Sequence, residues 1–164
     1  MEFHNIPPLY DKDSKVLILG SFPSVKSREG QFFYHHPQNR YWKVMAAVLG
    51  CQVPETIEEK KKMMLTNHIA MWDVIASCDI TASSDSSIKN IVPNDIGRLL
   101  REAPIERIYT NGGMAHKNYQ KYIKDIIGVE DVQLPSTSPA NAAWSLEKLI
   151  TVWEQISFRH IFPM

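Results

Sequence analysis

The sequence has little cysteine, no long apolar run and no excess of charge of either sign. Its two cysteines, Cys51 and Cys78, are too few for a four-cysteine zinc or iron–sulfur site, and we expect both to be free buried thiols in a reducing cytoplasm. No apolar stretch approaches the roughly 20 residues of a membrane-spanning helix, and the first residues do not resemble a signal peptide. The 18 basic residues balance 18 acidic ones. This balance argues against non-specific coating of nucleic acid, but not against a local basic face.

Several catalytic and cofactor-binding motifs are also missing. The chain has no phosphate-binding Gly-x-x-x-x-Gly-Lys-Ser/Thr sequence, no glycine fingerprint for dinucleotides and no Gly-x-Ser-x-Gly nucleophile elbow. Its histidines His4, His68, His116 and His160 show no metal-ligand spacing. We therefore predict neither a metal nor a cofactor.

The residues that are present predict one compact α/β domain spanning 1–164. With 164 residues, of which 44% are hydrophobic, the chain is long enough to bury a core without disulfides. Strand-like and helix-like segments alternate, which is typical of a mainly parallel sheet between helices, with ligands bound beyond the carboxyl ends of the strands. Strands are predicted at 15–20, 68–75, 105–110 and 129–134, helices at 39–50, 56–65, 94–103, 114–127 and 142–159, and loops at 21–38 and 76–90.

Two segments at the predicted strand ends have unusual compositions. The segment 31–42 is dense in aromatic side chains and also contains two histidines, so it is either a satellite of the core or a stacking surface for a nucleobase. The segment 134–141 offers three hydroxyl groups and two prolines just before a helix. Such a segment suits phosphate binding, and it also suits simple capping of the helix by Ser138 or Asn141.

Five short motifs follow one another along the chain and carry a resemblance to a known family. They are Gly20-Ser21-Phe22-Pro23-Ser24, His36-Pro37-Gln38-Asn39-Arg40-Tyr41-Trp42, Trp72-Asp73-Val74 followed by Ser83-Ser84-Asp85-Ser86-Ser87, Asn111-Gly112-Gly113-Met114-Ala115-His116, and Pro135-Ser136-Thr137-Ser138-Pro139-Ala140-Asn141. Over nearly the whole chain, their order and spacing resemble the uracil-DNA glycosylase superfamily, most closely its hypoxanthine-DNA (deoxyinosine) glycosylase family. The resemblance implies a three-layer α/β/α sandwich with a central four-stranded, mainly parallel sheet. It also implies hydrolysis of the bond between a damaged base and deoxyribose, after the nucleotide is flipped out of the duplex.

The resemblance places the catalytic role on Asn39. Many members of the superfamily have a catalytic Asp or Asn at the third position of the first motif, where this chain has Phe22. The Asn39 amide is not a useful base at neutral pH, so we expect it to position water and to stabilise developing charge. The last motif begins with His in the uracil enzymes but with Leu134 here, and His36 is either a substitute donor or a loop-packing residue.

The same comparison implies a pocket for the damaged base. Ser24 stands where the uracil enzymes have a bulky Tyr, so we expect room for a purine. Asp73 is either an acceptor for a ring N–H group, such as N1–H of hypoxanthine, or a structural cap of the following loop. One of two neighbouring aromatic residues is expected to stack on the base, and spacing does not decide which. The predicted base-binding residues are Ser21, Phe22, Ser24, Phe33, Tyr34 and Asp73.

The last loop is predicted to contact the DNA backbone. Related enzymes insert a Leu or Arg wedge into the duplex from this loop, whereas the corresponding residues here are small, which predicts shallow penetration. Ser136, Thr137 and Ser138 are expected to bind flanking phosphates, and Pro139, Ala140 and Asn141 to form the wedge.

These observations predict a monofunctional DNA glycosylase acting on deoxyinosine, with deoxyuridine as a second candidate substrate. The predicted partner is DNA that contains deaminated bases. We expect a monomer located in the cytoplasm, with no membrane contact. One alternative keeps the reaction but makes the enzyme specific for uracil or mismatches. Another is a non-catalytic DNA- or nucleotide-binding protein of the same fold, which Phe22 and Leu134 favour because two polar side chains are missing there.

Overall fold

The computed structural model describes residues 1–80 and 88–157. Its strands are β1 (Glu2–Phe3), β2 (Val16–Gly20), β3 (Ile69–Asp73), β4 (Ile75–Ile80), β5 (Ile88–Pro93), β6 (Arg107–Asn111) and β7 (Asp131–Leu134). Its helices are α1 (Val25–Gly30), α2 (Tyr41–Leu49), α3 (Ile57–Thr66), α4 (Ile96–Glu102), α5 (Gly113–Tyr122), α6 (Lys124–Ile127) and α7 (Leu146–Trp153), followed by a 3₁₀ turn at Glu154–Ile156.

A four-stranded parallel sheet forms the centre of the molecule. Its strand order is β3-β2-β6-β7, and every neighbouring pair is parallel. The strand β2 is buried at all five positions, as expected for an apolar strand covered by helices on both faces. The predicted three-layer α/β/α sandwich with a four-stranded parallel sheet is confirmed.

A second, antiparallel sheet of order β1-β4-β5 was not predicted. The expected single strand 68–75 is wrong, because the chain turns at Val74, and β4 then pairs with β1 and β5 instead of continuing β3. The expectation of a loop over 76–90 is also wrong, because β4 and the start of β5 lie in this range. Serine and asparagine make this stretch resemble a loop, but pairing of β4 with β1 and with β5 satisfies its backbone. The Ser83–Ser87 motif lies outside the described residues.

Helix boundaries depart from the sequence pattern where side chains have tertiary partners. The predicted loop 21–38 contains α1, which Ser24 caps by accepting from the backbone N–H of Ser27. Asn94 was expected to cap α4, but its amide donates to the carbonyls of Asp73 and Ile75, and Asp95 is the cap instead. These bonds attach the start of α4 to the end of β3.

The predicted helices 114–127 and 142–159 are also shorter or divided. The first is interrupted at Ile123 and forms α5 and α6, with Gly128 in the left-handed conformation at its end. The last begins after Ser145, which caps α7 through its hydroxyl.

The core surrounds the central sheet and contains one of the two cysteines. Cys78 is buried, but Cys51 is exposed, so the expectation of two buried thiols is wrong for Cys51. It follows the left-handed Gly50 that ends α2, where the chain has left the core. Within the residues described, no helix is both long and apolar enough to cross a bilayer.

Candidate active site

A cleft of about 980 Å³ lies beyond the carboxyl ends of the central strands. The strands β2, β3, β6 and β7 end at Gly20, Asp73, Asn111 and Leu134, so the loops that follow them meet at one edge of the sheet. Asn141 lines an adjoining groove together with Trp144. The predicted residues that line the cleft are Ser21, Phe22, Ser24, Phe33, Tyr34, Asn39, Asp73, Ser136, Thr137, Ser138, Pro139 and Ala140.

Asn39 is held by its oxygen and leaves its amide nitrogen free. Its Oδ1 accepts from the backbone N–H of Tyr41 at 2.9 Å and from the hydroxyl of Thr137 at 2.9 Å. The Thr137 oxygen accepts in turn from the Asn111 amide at 3.0 Å, which directs the Thr137 proton towards Asn39. No residue in the described ranges accepts from Asn39 Nδ2. The side chain therefore presents N–H donors to the cleft rather than an acceptor.

Arg40 connects the start of α2 to the loop after β7. Its guanidinium donates to the carbonyls of Ser138 and Asn141, each at 3.0 Å, and to that of Trp144. Its backbone N–H donates to the Thr137 carbonyl at 3.1 Å. Four bonds from one residue therefore fix the position of the loop next to Asn39.

Asp73 forms a buried pair with His4 at the end of β3. His4 Nε2 lies 2.7 Å from Asp73 Oδ2, and the two side chains are only 4% and 5% exposed. The other ring nitrogen, Nδ1, accepts from the backbone N–H of Ile6 at 3.2 Å, which leaves the ring proton on Nε2. The pair fixes one carboxylate oxygen and leaves the other, Oδ1, at the cleft.

The second Asp73 oxygen lies against Gly20, its partner across the β2–β3 pair. A Cβ at Gly20 would collide with Asp73 Oδ1 and would lie 3.0 Å from the Tyr34 hydroxyl. Because Gly20 has no side chain, the Asp73 carboxylate and the Tyr34 hydroxyl both have space beside it.

The Tyr34 hydroxyl is buried and has no partner in hydrogen-bonding geometry within the described part of the chain. Burial, reinforced by the negative charge of Asp73, raises the pKa of this hydroxyl far above its usual value, with the Asn111 amide acting in the opposite direction. The group is therefore an O–H donor at neutral pH. Tyr34 also has a left-handed backbone with φ of 51°, a conformation that costs energy in a residue other than glycine.

The rings of the two candidate stacking residues, Phe33 and Tyr34, are packed against different neighbours. The Tyr34 ring stacks on Tyr41 at a centroid distance of 4.2 Å, so one of its faces is occupied. Phe33 packs edge-on against Phe32 and is 2% exposed, although it lines the cleft.

The loop that follows β2 places small and apolar groups at the cleft wall. Ser24 is exposed and caps α1, so its side chain serves a structural purpose in addition to being small. Phe22 is half-buried between His4, which it meets edge-on, and the guanidinium of Arg28, which lies 5.3 Å from its ring centroid. Its side chain has no polar atom with which to hold water.

The last loop divides into buried and exposed parts. Thr137 is fully buried and its hydroxyl already has two partners, so its side chain points into the protein. Ser136 and Ser138 are half-buried, whereas Pro139 and Ala140 are exposed at the tip.

Leu134, which stands where the uracil enzymes have a histidine, and His36, the possible substitute donor, lie in different surroundings. Leu134 is fully buried in the core. His36 lines the cleft and accepts from the backbone N–H of Gln38 through Nδ1. In the ranges 1–80 and 88–157, no three His, Cys, Asp or Glu side chains are grouped so that they could hold a metal ion.

Sequence reasoning missed His4 and Arg40. His4 was considered only as a metal ligand, and no local pattern pairs it with Asp73, which is 69 residues away. Arg40 was in the second motif next to Asn39, so its position was a usable signal, but its three carbonyl partners come from the last loop.

Known proteins resemble this chain over nearly its whole length. The family model of the Uracil DNA glycosylase superfamily matches residues 7–157. A Methanosarcina acetivorans protein named hypoxanthine DNA glycosylase is 32% identical over 155 residues, which are 94% of this chain and 96% of the relative. A protein of the same name from Methanosarcina barkeri is 27% identical over 142 residues, or 86% and 89% of the two chains.

A solved structure has the same fold. It is a solution NMR structure from Methanosarcina acetivorans, named for a uracil DNA glycosylase, with a TM-score of 0.82 and 32% identity. The match covers 96% of this chain and 97% of the other. The parallel sheet, the cleft at its carboxyl edge and these matches lead to one conclusion: the chain belongs to the uracil DNA glycosylase superfamily.

Proposed function

We propose that this protein is a monofunctional DNA glycosylase that hydrolyses the N-glycosidic bond of deoxyinosine, with deoxyuridine as a second substrate. The observation that carries the proposal is Asn39, which is fixed by Tyr41 and Thr137 and presents free amide N–H groups to the cleft. The names of the Methanosarcina relatives, hypoxanthine DNA glycosylase, support the choice of base.

Asn39 acts in this reaction as a donor. Cleavage passes through an oxocarbenium-like sugar while the base leaves with negative charge. A fixed amide N–H group stabilises that charge, or it holds the attacking water by donating to the oxygen of that water. It needs no reorganisation when the charge develops. Because Asn39 does not take a proton, the reaction requires bond breaking to be largely complete before water attacks.

The loop that follows β2 and the end of β3 form the base pocket. The backbone groups of Ser21 and Phe22, with Asp73, contact the edge of the base, and Phe33 or Tyr34 stacks on its face. The small Ser24 leaves room for a purine. Uracil remains a second substrate because Asp73 is also suited to accept from its ring N3–H group.

The last loop contacts the DNA outside the pocket. Ser136 and Ser138 are accessible to phosphates that flank the damaged base. Pro139, Ala140 and Asn141 form a small wedge. Thr137 contributes by holding Asn39, since its hydroxyl is already bonded inside the protein. We also propose that the protein acts as a monomer in the cytoplasm, without a metal or a cofactor.

The test uses end-labelled duplexes with one hypoxanthine, one uracil or neither, and alkali to cleave the abasic product. We expect cleavage at hypoxanthine by the wild type, and Asn39→Ala should lower the single-turnover rate by about 10²–10⁴-fold, as is usual for loss of a positioned catalytic group. The matched control is Asn67→Ala, which removes an amide at the end of α3, outside the cleft.

Each other outcome favours a different alternative. Faster release of uracil than of hypoxanthine would favour the uracil-specific enzyme. Binding of the hypoxanthine duplex by folded protein without any cleavage would favour the non-catalytic binder and contradict the proposal.

A further inference from the structure

We propose that Asn111, at the end of β6, is a positioning residue for catalysis: acting through the buried hydroxyl of Thr137, it determines which atom of the Asn39 amide faces the cleft. The inference rests on the proposed glycosylase function, in which Asn39 is the donor. It gives a function to the first residue of the Asn111-Gly112-Gly113 motif, to which the resemblance assigned none.

The turn after β6 brings Asn111 against the last loop. Gly112 has a left-handed backbone with φ of 97°, and its N–H group donates to the Leu134 carbonyl at 2.9 Å. A Cβ at Gly112 would lie 3.0 Å from that of Ser136, so glycine lets the two segments approach closely. Asn111 therefore reaches both the backbone and the side chain of Thr137, 26 residues further along the chain.

Two hydrogen bonds fix the orientation of the Asn111 amide. The backbone N–H of Thr137 donates to Asn111 Oδ1 at 3.1 Å, and Asn111 Nδ2 donates to Thr137 Oγ1 at 3.0 Å. A backbone N–H group can only donate, so it selects the oxygen end of the amide and leaves the nitrogen end to face the hydroxyl. Because an amide nitrogen also only donates, the Thr137 hydroxyl must accept there and direct its proton elsewhere.

That proton goes to Asn39. Thr137 is fully buried, and its hydroxyl donates to Asn39 Oδ1 at 2.9 Å. The same oxygen accepts from the backbone N–H of Tyr41, which ties the amide to the start of its own helix. The bond from Thr137 is the one that ties it to β6 and to the last loop. With both bonds in place, the oxygen of Asn39 points into the protein and its Nδ2 group points to the cleft.

The substitution Asn111→Asp would reverse the direction of this relay. The carboxylate has nearly the same shape as the amide and still accepts from the Thr137 backbone N–H, but an oxygen replaces the donor nitrogen. The Thr137 hydroxyl would then donate to the charged oxygen, since charge-assisted hydrogen bonds are stronger than neutral ones. Its lone pairs would face Asn39 Oδ1, and two acceptors in contact repel each other. Asn39 would lose the fixed orientation that its role as donor requires.

The experiment measures single-turnover release of hypoxanthine at increasing enzyme concentration, which separates the maximum rate from the half-saturating concentration. Asn111→Asp and Thr137→Val should each lower the maximum rate by about 10–10²-fold, the scale on which a displaced catalytic group loses activity. The half-saturating concentration should not change. Thr137→Ser keeps the hydroxyl and should stay near the wild-type rate. The matched controls Asn67→Asp and Thr151→Val lie outside the cleft and should behave as the wild type.

A double-mutant cycle tests whether the effect passes through Asn39. In the Asn39→Ala background, Asn111→Asp and Thr137→Val should have almost no further effect on the residual rate, because the group that they position is already absent. A direct effect of the new negative charge on the departing base would persist in that background, and so would a general loss of structure. Full additional losses in both double variants would therefore overturn the inference.

Folding is checked by thermal melting, and release is measured well below the melting transition. Thr137→Val adds no charge and keeps the shape of the side chain, so it remains informative even if Asn111→Asp does not fold. Wild-type rates in folded Asn111→Asp or Thr137→Val would overturn the positioning role but leave the glycosylase in place. Folded wild type that releases neither hypoxanthine nor uracil would refute the proposed function itself, and the positioning role with it.

Discussion

Asn39 and Asp73 use their polar atoms in complementary ways. Asn39 has its oxygen bonded inside the protein and presents nitrogen to the cleft, whereas Asp73 has one oxygen bonded to His4 and presents the other. The cleft therefore offers a donor at one position and an acceptor at another, each fixed by a partner behind it. Such fixed polar groups give a site its selectivity, because a ligand with the wrong pattern leaves them unpaired.

A substitution at Ser24 tests the size of the base pocket. Ser24→Tyr should reduce release of hypoxanthine by about 10-fold more than release of uracil, because a pocket discriminates by steric fit on this scale. The measurement compares single-turnover rates on the two duplexes. Ser24→Ala is the control, since it removes the cap of α1 without filling the cleft. Equal losses on both bases in Ser24→Tyr would show that Ser24 does not set the size limit.

At the scale of elements, one arginine joins the start of α2, next to the catalytic candidate Asn39, to the loop after β7. Arg40 precedes α2 and donates to three carbonyls of the last loop, so Asn39 and the exposed tip at Pro139 and Ala140 have a common anchor. The planar guanidinium spreads its donors over a fork that spans these carbonyls, whereas a lysine ammonium has three donors on a single nitrogen.

Replacing this arginine should therefore disturb the DNA contact and the chemistry together. Arg40→Lys is expected to weaken duplex binding by about 10-fold, because it loses two or more charge-assisted hydrogen bonds, and also to lower the cleavage rate through Asn39. Binding and single-turnover cleavage are measured on the hypoxanthine duplex. Lys43→Ala, an exposed change on the same helix, is the control. Unchanged binding in Arg40→Lys would show that the loop holds its position without this anchor.

At the scale of the whole molecule, charge limits how the protein binds DNA. Its 18 basic residues are matched by 18 acidic ones, and Lys26 and Arg28 are the cations that line the cleft among the described residues. Arg28 is in addition paired with Glu2 at 2.6 Å. Binding should therefore rest on few phosphate contacts and on the flipped base.

The salt dependence of binding measures this directly. A plot of log association constant against log salt should have a slope no steeper than about −4, since each neutralised phosphate contributes about −0.9. Titrations of a hypoxanthine duplex between low and moderate salt give the slope. A value steeper than about −6 would contradict this interpretation of the surface.

The sequence by itself determined the central sheet, the edge of that sheet at which the cleft lies and most residues of the cleft. The apolar run that ends in Gly20 marks a strand that is buried at every position, and the sequence reports such burial directly. The strand β7, with the sequence DVQL, is buried only at its two ends. The motif order also placed Asn39, Asp73 and the last loop around one site, since strands of a parallel sheet bring their carboxyl ends together.

Only the tertiary structure decided how those residues are held. The pairing of His4 with Asp73 and the bonds from Arg40 to the last loop join residues far apart in the chain. The antiparallel pairing of β4 with β1, in which Glu2 lies opposite Cys78, is likewise non-local. The physical reason is the same in each case. A hydrogen-bond partner is chosen by proximity in the folded chain, and the local sequence pattern carries no record of which distant group will be there.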